Sequence, residues 1–207
     1  MPNNEGGATE VAEQRKQAEI TLVEDSTAVE PPPQEEGAAI AGEGGASLGD
    51  IVNLGKLAWD VIKDNRPVAS QASDNANAVP QGASFTDMSG WAEEPRRMKL
   101  RFHDESVAGL NPTDINITCE WYFNGQVNGS GQYINAATVY ADIDAAMGNT
   151  YQVQASIRAP LNGGDDGKVI AVLPFRVTIQ ESNVGQNRTY NWSGQMKGNG
   201  AGYLRPE

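Results

Sequence analysis

The stretch that decides the fold is INITCEWYF, residues 115–123, in which apolar and polar side chains alternate at every step. The apolar set is Ile115, Ile117, Cys119, Trp121 and Phe123, and the polar set is Asn116, Thr118, Glu120 and Tyr122. Because successive side chains of a β-strand point to opposite faces, this period of two predicts a strand. A strand with one apolar and one polar face is typical of an antiparallel sheet buried on one side.

The same alternation returns in five other stretches, which are MKLRF (98–102), TVYADI (138–143), YQVQASI (151–157), VIAVLPFRVTI (169–179) and RTYNW (188–192). Short strands separated by turn residues are typical of a sandwich. The sequence therefore predicts a mainly β fold, an immunoglobulin-like or jelly-roll-like antiparallel β-sandwich of six to eight strands, over residues 85–195. Pro174 has no N–H to donate and predicts a bulge or an edge position.

A different pattern precedes the sandwich, in SLGDIVNLGKLAWDVIKDNRPV, residues 47–68. Ser47 with Asp50 fits a helix start, and Asn65-Arg66-Pro67 fits a helix end. At 100° per residue the apolar side chains cover more than half of the circumference, which predicts an amphipathic helix over residues 47–65. One flat sheet cannot cover so wide an arc, so we expect contact with a protein partner, a second copy or a membrane. The expected contact residues are Leu48, Ile51, Val52, Leu54, Leu57, Trp59, Val61 and Ile62. A structural alternative stays open, in which the helix packs on the sandwich and closes an edge.

The rest of the chain predicts unfolded or connecting segments. Residues 1–46 carry ten acids against Arg15 and Lys16 and no aromatic residue, so this acidic tail is predicted to be disordered. Residues 66–84 are rich in Ala, Ser, Asn and Pro and are predicted to be a linker, and residues 196–207 a glycine-rich C-terminal tail.

The charge and the termini limit the partners and the compartment. A formal net charge of −12 repels phosphate, so no nucleic acid partner is expected. The N-terminus lacks a basic start and an apolar core, and no apolar run reaches the length of a membrane-spanning helix. The sequence therefore predicts a cytoplasmic or non-classically exported protein with no signal peptide or transmembrane helix.

Few residues fit catalysis. His103 is the one histidine, at the end of a predicted strand, and Cys119 is the one cysteine, on an apolar strand face. Asp142 and Asp144 share a strand face, and Asp165 and Asp166 occupy a turn, but neither pair matches a calcium-loop pattern. We therefore predict no enzyme, no metal site and no cofactor.

Two glycine-rich stretches, residues 122–134 and 190–204, share a similar spacing and end on Tyr133 and Tyr203. Both are turns that can adopt positive φ, and they are also candidates for paired ligand loops, together with Asp165 and Asp166. Aromatic side chains in such loops could stack on carbohydrate, but no motif supports that partner.

The plan of an amphipathic helix ahead of an aromatic-bearing sandwich resembles that of actinoporin-type cytolysins. The resemblance implies a membrane-active, pore-forming-like protein, and no residue roles are carried over because no stretch matches the membrane-binding motif of that family. The residues themselves favour a non-enzymatic interaction and assembly protein, with a partner- or self-docking helix on a β-sandwich binding module. Membrane activity is the alternative.

Overall fold

The computed structural model describes residues 17–23, 47–55, 57–68, 75–104, 112–144, 148–164, 168–183 and 186–207. Fourteen strands and one 3-10 turn, Phe85–Asp87, are found there. The strands are β1 Gln17–Val23, β2 Ser47–Val52, β3 Ala58–Lys63, β4 Arg66–Pro67, β5 Ala76–Gln81, β6 Met88–Ser89, β7 Arg96–Asp104, β8 Thr113–Val127, β9 Ser130–Asp144, β10 Thr150–Ile157, β11 Leu161–Asn162, β12 Ala171–Asn183, β13 Gln186–Lys197 and β14 Gly202–Pro206.

These strands form two antiparallel sheets. The first has the order β1-β7-β8-β9-β5-β2, with β6 beside β8, and the second has the order β14-β13-β12-β10-β3-β4, with β11 beside β12. The prediction of an antiparallel β-sandwich is confirmed, because the two sheets enclose a common apolar core.

The alternating strands fill the core as their period of two requires. The inward positions of β7, β8, β10 and β12 are buried, and they include Leu100, Ile117, Val153 and Val177. Phe102 links the sheets through ring contacts to Tyr151, Tyr190 and Trp192 of the second sheet, with centroids 6.2, 5.0 and 6.2 Å away. Phe123 leaves the pattern and is only half-buried, because the register of β8 against β9 shifts beyond Tyr122.

The prediction of a helix over residues 47–65 is wrong, because the described part of this segment forms strands β2 and β3. Strand β2 pairs with β5 in the first sheet, whereas β3 pairs with β10 in the second. β2 therefore ends the first sheet, and β3 lies next to the short strand β4 that ends the second. Two buried strands that follow each other in the sequence also carry many apolar residues. On a helical projection, these residues would cover more than half of the circumference.

Local chemistry explains why strands replace a helix here. Asp64 and Asn65 both have positive φ, 51° and 59°, which fits the two-residue turn that joins β3 to β4. The Asn65 side chain accepts from the Tyr151 N–H at 2.6 Å and donates to the Asn149 carbonyl at 2.8 Å. What looked like a helix end, Asn65-Arg66-Pro67, is therefore a hairpin turn fixed to the neighbouring strand.

Three predicted tails and linkers also contain strands. β1 lies inside the segment predicted to be disordered, whose other residues are outside the described part of the chain. β5 lies inside the predicted linker, residues 66–84, where Ala76 and Ala78 are buried. β13 ends and β14 lies within the predicted C-terminal tail, residues 196–207. In β5 the buried side chains are mostly alanines, whose low hydrophobicity misled the prediction.

Candidate functional site

Three leucines stand out on the side of the sandwich that β2 and β3 close. Leu54, Leu57 and Leu161 are 47%, 54% and 46% exposed, and they are the exposed large hydrophobic residues of the described chain. We call these three residues the leucine patch. β11, which carries Leu161, contacts β2, and Leu54 and Leu57 lie in the segment that joins β2 to β3.

Asn53 holds the loop that displays Leu54. Its side-chain oxygen accepts from the N–H groups of Gly55 and Asn77, each at 2.9 Å. The Asn77 side chain, which is buried, in turn accepts from the Ala136 N–H at 2.9 Å. Two asparagine side chains thus connect the end of β2 to β5 and then to β9. Because the residues on both sides of Leu54 are fixed, its exposure is built into the loop.

Gly55 lets this loop approach β5. A β-carbon at position 55 would lie 1.8 Å from the carbonyl oxygen of Asn75, so only glycine fits without moving the backbone. The Leu57 carbonyl then accepts from the Ile157 N–H at 2.6 Å, which fixes the far end of the loop against β10.

Hydrogen bonds also fix the segment that carries Leu161. Leu161 pairs with Val172 across β11 and β12. The Asn162 side-chain oxygen accepts from the N–H groups of Gly164 and Ile170, at 3.0 and 3.1 Å. All three leucines are therefore carried by hydrogen-bonded backbone, which fixes their position before any partner arrives.

The edges beside the patch do not favour addition of a foreign strand. The register of β2 shifts between Ser47 and Ile51, and Val61 is an extra residue in β3 opposite Val153 and Gln154. This bulge explains why Val61 and Ile62 are both buried. Short, bulged edges are a common protection against strand pairing, so side chains are the natural contact groups here.

The contact residues predicted from the sequence divide into three groups. Trp59, Val61 and Ile62 are buried in the core. Ile51 and Val52 are partly buried and pack against that core. Leu54 and Leu57 are exposed, and the side chain of Leu48 lies outside what the structure describes. The sequence analysis did not single out Leu161, whose position beside β2 depends on the sheet topology.

The predicted ligand loops do come together. The Asn124 N–H donates to the Gly198 carbonyl at 2.7 Å, joining the β8–β9 region to the β13–β14 turn. Tyr133 is fully buried, however, and burial raises the pKa of its phenol. Tyr203 is half-buried, with the Arg205 guanidinium 5.2 Å from its ring centroid. Asp165 and Asp166 lie outside the described residues.

Cys119 and His103 were considered as a nucleophile and a base for catalysis. The structure buries Cys119 and places His103 against an acid. Burial raises the pKa of the Cys119 thiol to about 12. His103 Nδ1 lies 2.9 Å from Asp114 Oδ1, on the polar face of the first sheet, and Arg101 Nη2 is 2.8 Å from the same oxygen. Partial burial opposes ionisation of Asp114, but the hydrogen bonds from His103 and Arg101 outweigh it, and the pKa of Asp114 is lowered.

The two acids of β9 lie beside this ion pair. Asp142 and Asp144 are both exposed, opposite Asn116 and Asp114 of β8. Within the described residues, no three His, Cys, Asp or Glu side chains are grouped to hold a metal ion.

Two buried acids of the sandwich were not predicted from the sequence. Asp104 and Glu181 are both 2% exposed. The Tyr151 hydroxyl donates to Asp104 at 2.9 Å and the Tyr190 hydroxyl donates to Glu181 at 3.2 Å. Burial, with Asp104 as a smaller cause, raises the pKa of Tyr151 to about 12. The bond between Asp104 and Tyr151 joins the two sheets, which is a structural role.

Comparison with protein-family models, with curated proteins and with solved structures finds no significant match. In the described part of the chain, no helix has the length and apolar character needed to span a bilayer.

Proposed function

We propose that this chain is a non-enzymatic interaction and assembly protein, in which a β-sandwich presents the leucine patch to a protein partner. The observation that carries the proposal is the exposure of Leu54, Leu57 and Leu161 on loops that are fixed by hydrogen bonds. Single exposed leucines are ordinary on protein surfaces, so the proposal depends on the hydrogen bonds that hold each of these three in its exposed position.

The energetics favour a partner on this patch. Burying apolar surface is worth about 25 cal/mol per Å², and a leucine side chain that becomes fully buried contributes about 1.5–3 kcal/mol. Since each leucine of the patch is close to half exposed, each can still contribute roughly half of that amount on binding. The fixed loops reduce the entropy that ordering the surface would otherwise cost.

Two further observations support binding over catalysis and over membrane insertion. Cys119, the one candidate thiol nucleophile, is buried, and His103 contacts Asp114 with no described cysteine or serine hydrogen-bonded to it. The membrane alternative depended on an amphipathic helix that includes Trp59, and Trp59 is a core residue of a strand.

Photo-crosslinking tests the proposal. A benzophenone amino acid is placed at Leu57, and in a control chain at Gln180, which is exposed on β12. We expect protein adducts in the source cells from position 57 that are lost when Leu54 and Leu161 are changed to serine. Equal adduct yields from the two positions, or yields at position 57 that ignore the serine substitutions, would overturn the proposal.

A further inference from the structure

We propose that Asn128 is a site of spontaneous covalent modification, at which the asparagine becomes aspartate and isoaspartate through a cyclic imide. The sequence holds four Asn-Gly dipeptides, which begin at Asn124, Asn128, Asn162 and Asn199. Glycine after asparagine favours this reaction, because glycine has no β-carbon to shield its backbone nitrogen. The structure distinguishes the pair at Asn128 from the other three.

The reaction joins neighbouring atoms of the chain and needs only water. The backbone nitrogen of the glycine loses its proton to solvent and bonds to Cγ of the asparagine. The bond from Cγ to Nδ2 breaks, and the side-chain nitrogen takes a proton and leaves as ammonia. Water then opens the imide, at the bond to Cγ to give aspartate or at the bond to the main-chain carbonyl carbon to give isoaspartate. The reaction therefore requires an accessible glycine nitrogen and an asparagine side chain that is free to turn towards it.

The glycine nitrogens of three pairs do not meet this requirement. The N–H groups of Gly163 and Gly200 donate to backbone carbonyls, at 2.8 and 3.0 Å. Gly125 is buried, and the ring of Trp91 comes within 2.2 Å of the position that a β-carbon of Gly125 would take. Each of these nitrogens is therefore held in a hydrogen bond or shielded from solvent.

The asparagine side chains of the same three pairs are also held by hydrogen bonds. The side-chain oxygen of Asn162 accepts two backbone N–H groups. That of Asn199 accepts from the Ala201 N–H at 3.0 Å, and that of Asn124 accepts from Gln132 Nε2 at 3.1 Å. These bonds must break before Cγ can turn towards the glycine nitrogen.

Both reacting groups are free at Asn128 and Gly129. The two residues are exposed at the tip of the hairpin that joins β8 to β9, where Val127 pairs with Ser130. Within the described residues, neither the Asn128 side chain nor the Gly129 N–H forms a hydrogen bond. A β-carbon on Gly129 would meet no atom within 4 Å, so water and base can reach its nitrogen. The φ angles of 50° and 75° fit the two-residue turn that Asn-Gly prefers, so one dipeptide both forms the turn and carries the reactive pair.

The hydrogen bonds set the expected difference in rate between the sites. One hydrogen bond corresponds to a factor of up to about ten in an equilibrium. At Asn162 and at Asn199, both the side chain and the following glycine must give up a hydrogen bond before they react. We therefore expect these sites to react at least about tenfold more slowly than Asn128 in the folded chain.

Mass spectrometry of the full chain after incubation in mildly alkaline buffer tests the site. Each Asn-Gly pair is scored in a digest by a mass gain of about 1 Da and by separation of the aspartyl and isoaspartyl peptides, and fragmentation distinguishes Asn124 from Asn128. We expect conversion at Asn128 to exceed that at each other pair by at least about tenfold. The chain unfolded in urea is the control, in which all four pairs are expected to convert at comparable rates. Conversion of another pair as fast as Asn128 in the folded chain, or conversion of Asn128 only in urea, would overturn the proposal.

A pair of variants provides a second test on the folded protein. Conversion replaces a neutral amide by a carboxylate, so anion exchange separates the modified chain. Asn128→Gln is expected to remove most of this acidic species, because a longer side chain closes the ring less readily. Asn199→Gln, at a protected pair, is expected to leave the acidic species unchanged, and urea unfolding midpoints show that both variants are folded. An acidic species that persists in Asn128→Gln and disappears in Asn199→Gln would place the reaction elsewhere and overturn the proposal.

Discussion

At the scale of single residues, Asn53 fixes the loop that carries Leu54. Its oxygen accepts two backbone N–H groups, from Gly55 and Asn77. Removing a buried acceptor leaves the donors unsatisfied, which costs about 1–3 kcal/mol. We expect Asn53→Ala to lower the free energy of unfolding by that amount in urea denaturation. Asn187→Ala, at an exposed position, is the control, and equal stability of the two variants would contradict the role of Asn53.

Cys119 provides a second test at the residue scale. Burial raises the pKa of its thiol to about 12, so at pH 8 only about one molecule in ten thousand carries the reactive thiolate. We expect no measurable reaction with a thiol reagent such as DTNB in the native protein, and one equivalent of reaction after denaturation. Fast reaction of the native protein would show that β8 does not bury this side chain.

Asp104 and Glu181 show what a closer reading of the sequence could have found. Asp104 follows Met98, Leu100 and Phe102 at the same parity, and Glu181 follows Phe175, Val177 and Ile179 in the same way. An acid at an inward position of an alternating strand predicts a buried carboxylate with a hydrogen-bond donor nearby. Its donors, Tyr151 and Tyr190, lie on other strands, and their identity depends on the topology.

At the scale of elements, residues 47–63 are where the sequence misled the prediction. Gly49 and Gly55 lie inside the predicted helix, and glycine costs about 1 kcal/mol relative to alanine in a helix interior. Those two glycines and the Asp64-Asn65 pair, which forms a hairpin turn, were the available signals for strands. Strands β7, β8, β9, β10 and β12 were predictable because each alternates over many residues. The pairing of β2 with β5 and of β3 with β10 was not, since it joins residues far apart in the chain.

A pair of substitutions tests the strand assignment of this segment. Trp59 is buried and Leu57 is exposed, although a helix would place both on the same apolar arc. We expect Trp59→Ala to cost about 3–5 kcal/mol of stability and Leu57→Ala to change it by less than about 0.5 kcal/mol. Chemical denaturation of the two variants provides the comparison. Similar losses for both would contradict the alternation of β3.

At the scale of the whole molecule, the sandwich buries some of the apolar side chains of residues 47–63 and leaves others exposed. Trp59, Val61 and Ile62 complete the core, while Leu54 and Leu57 stay at the surface beside Leu161. The segment therefore closes one side of the fold and also leaves two large apolar side chains exposed there. The sequence predicted a contact surface in this segment, which stays a prediction, and only the fold separates its core residues from its surface residues.

Hydrogen–deuterium exchange tests most directly the central claim that residues 58–63 form a strand of the sandwich, because it changes no residue. We predict slow exchange of the Ile157 amide, which binds the Leu57 carbonyl, and of the amides that join β3 to β10. Peptides from the centre of β12, which pairs with strands on both sides, should be protected as well. Exchange of residues 58–63 and of Ile157 at the rate of an unfolded chain, with β12 protected, would contradict the claim that this segment closes the core.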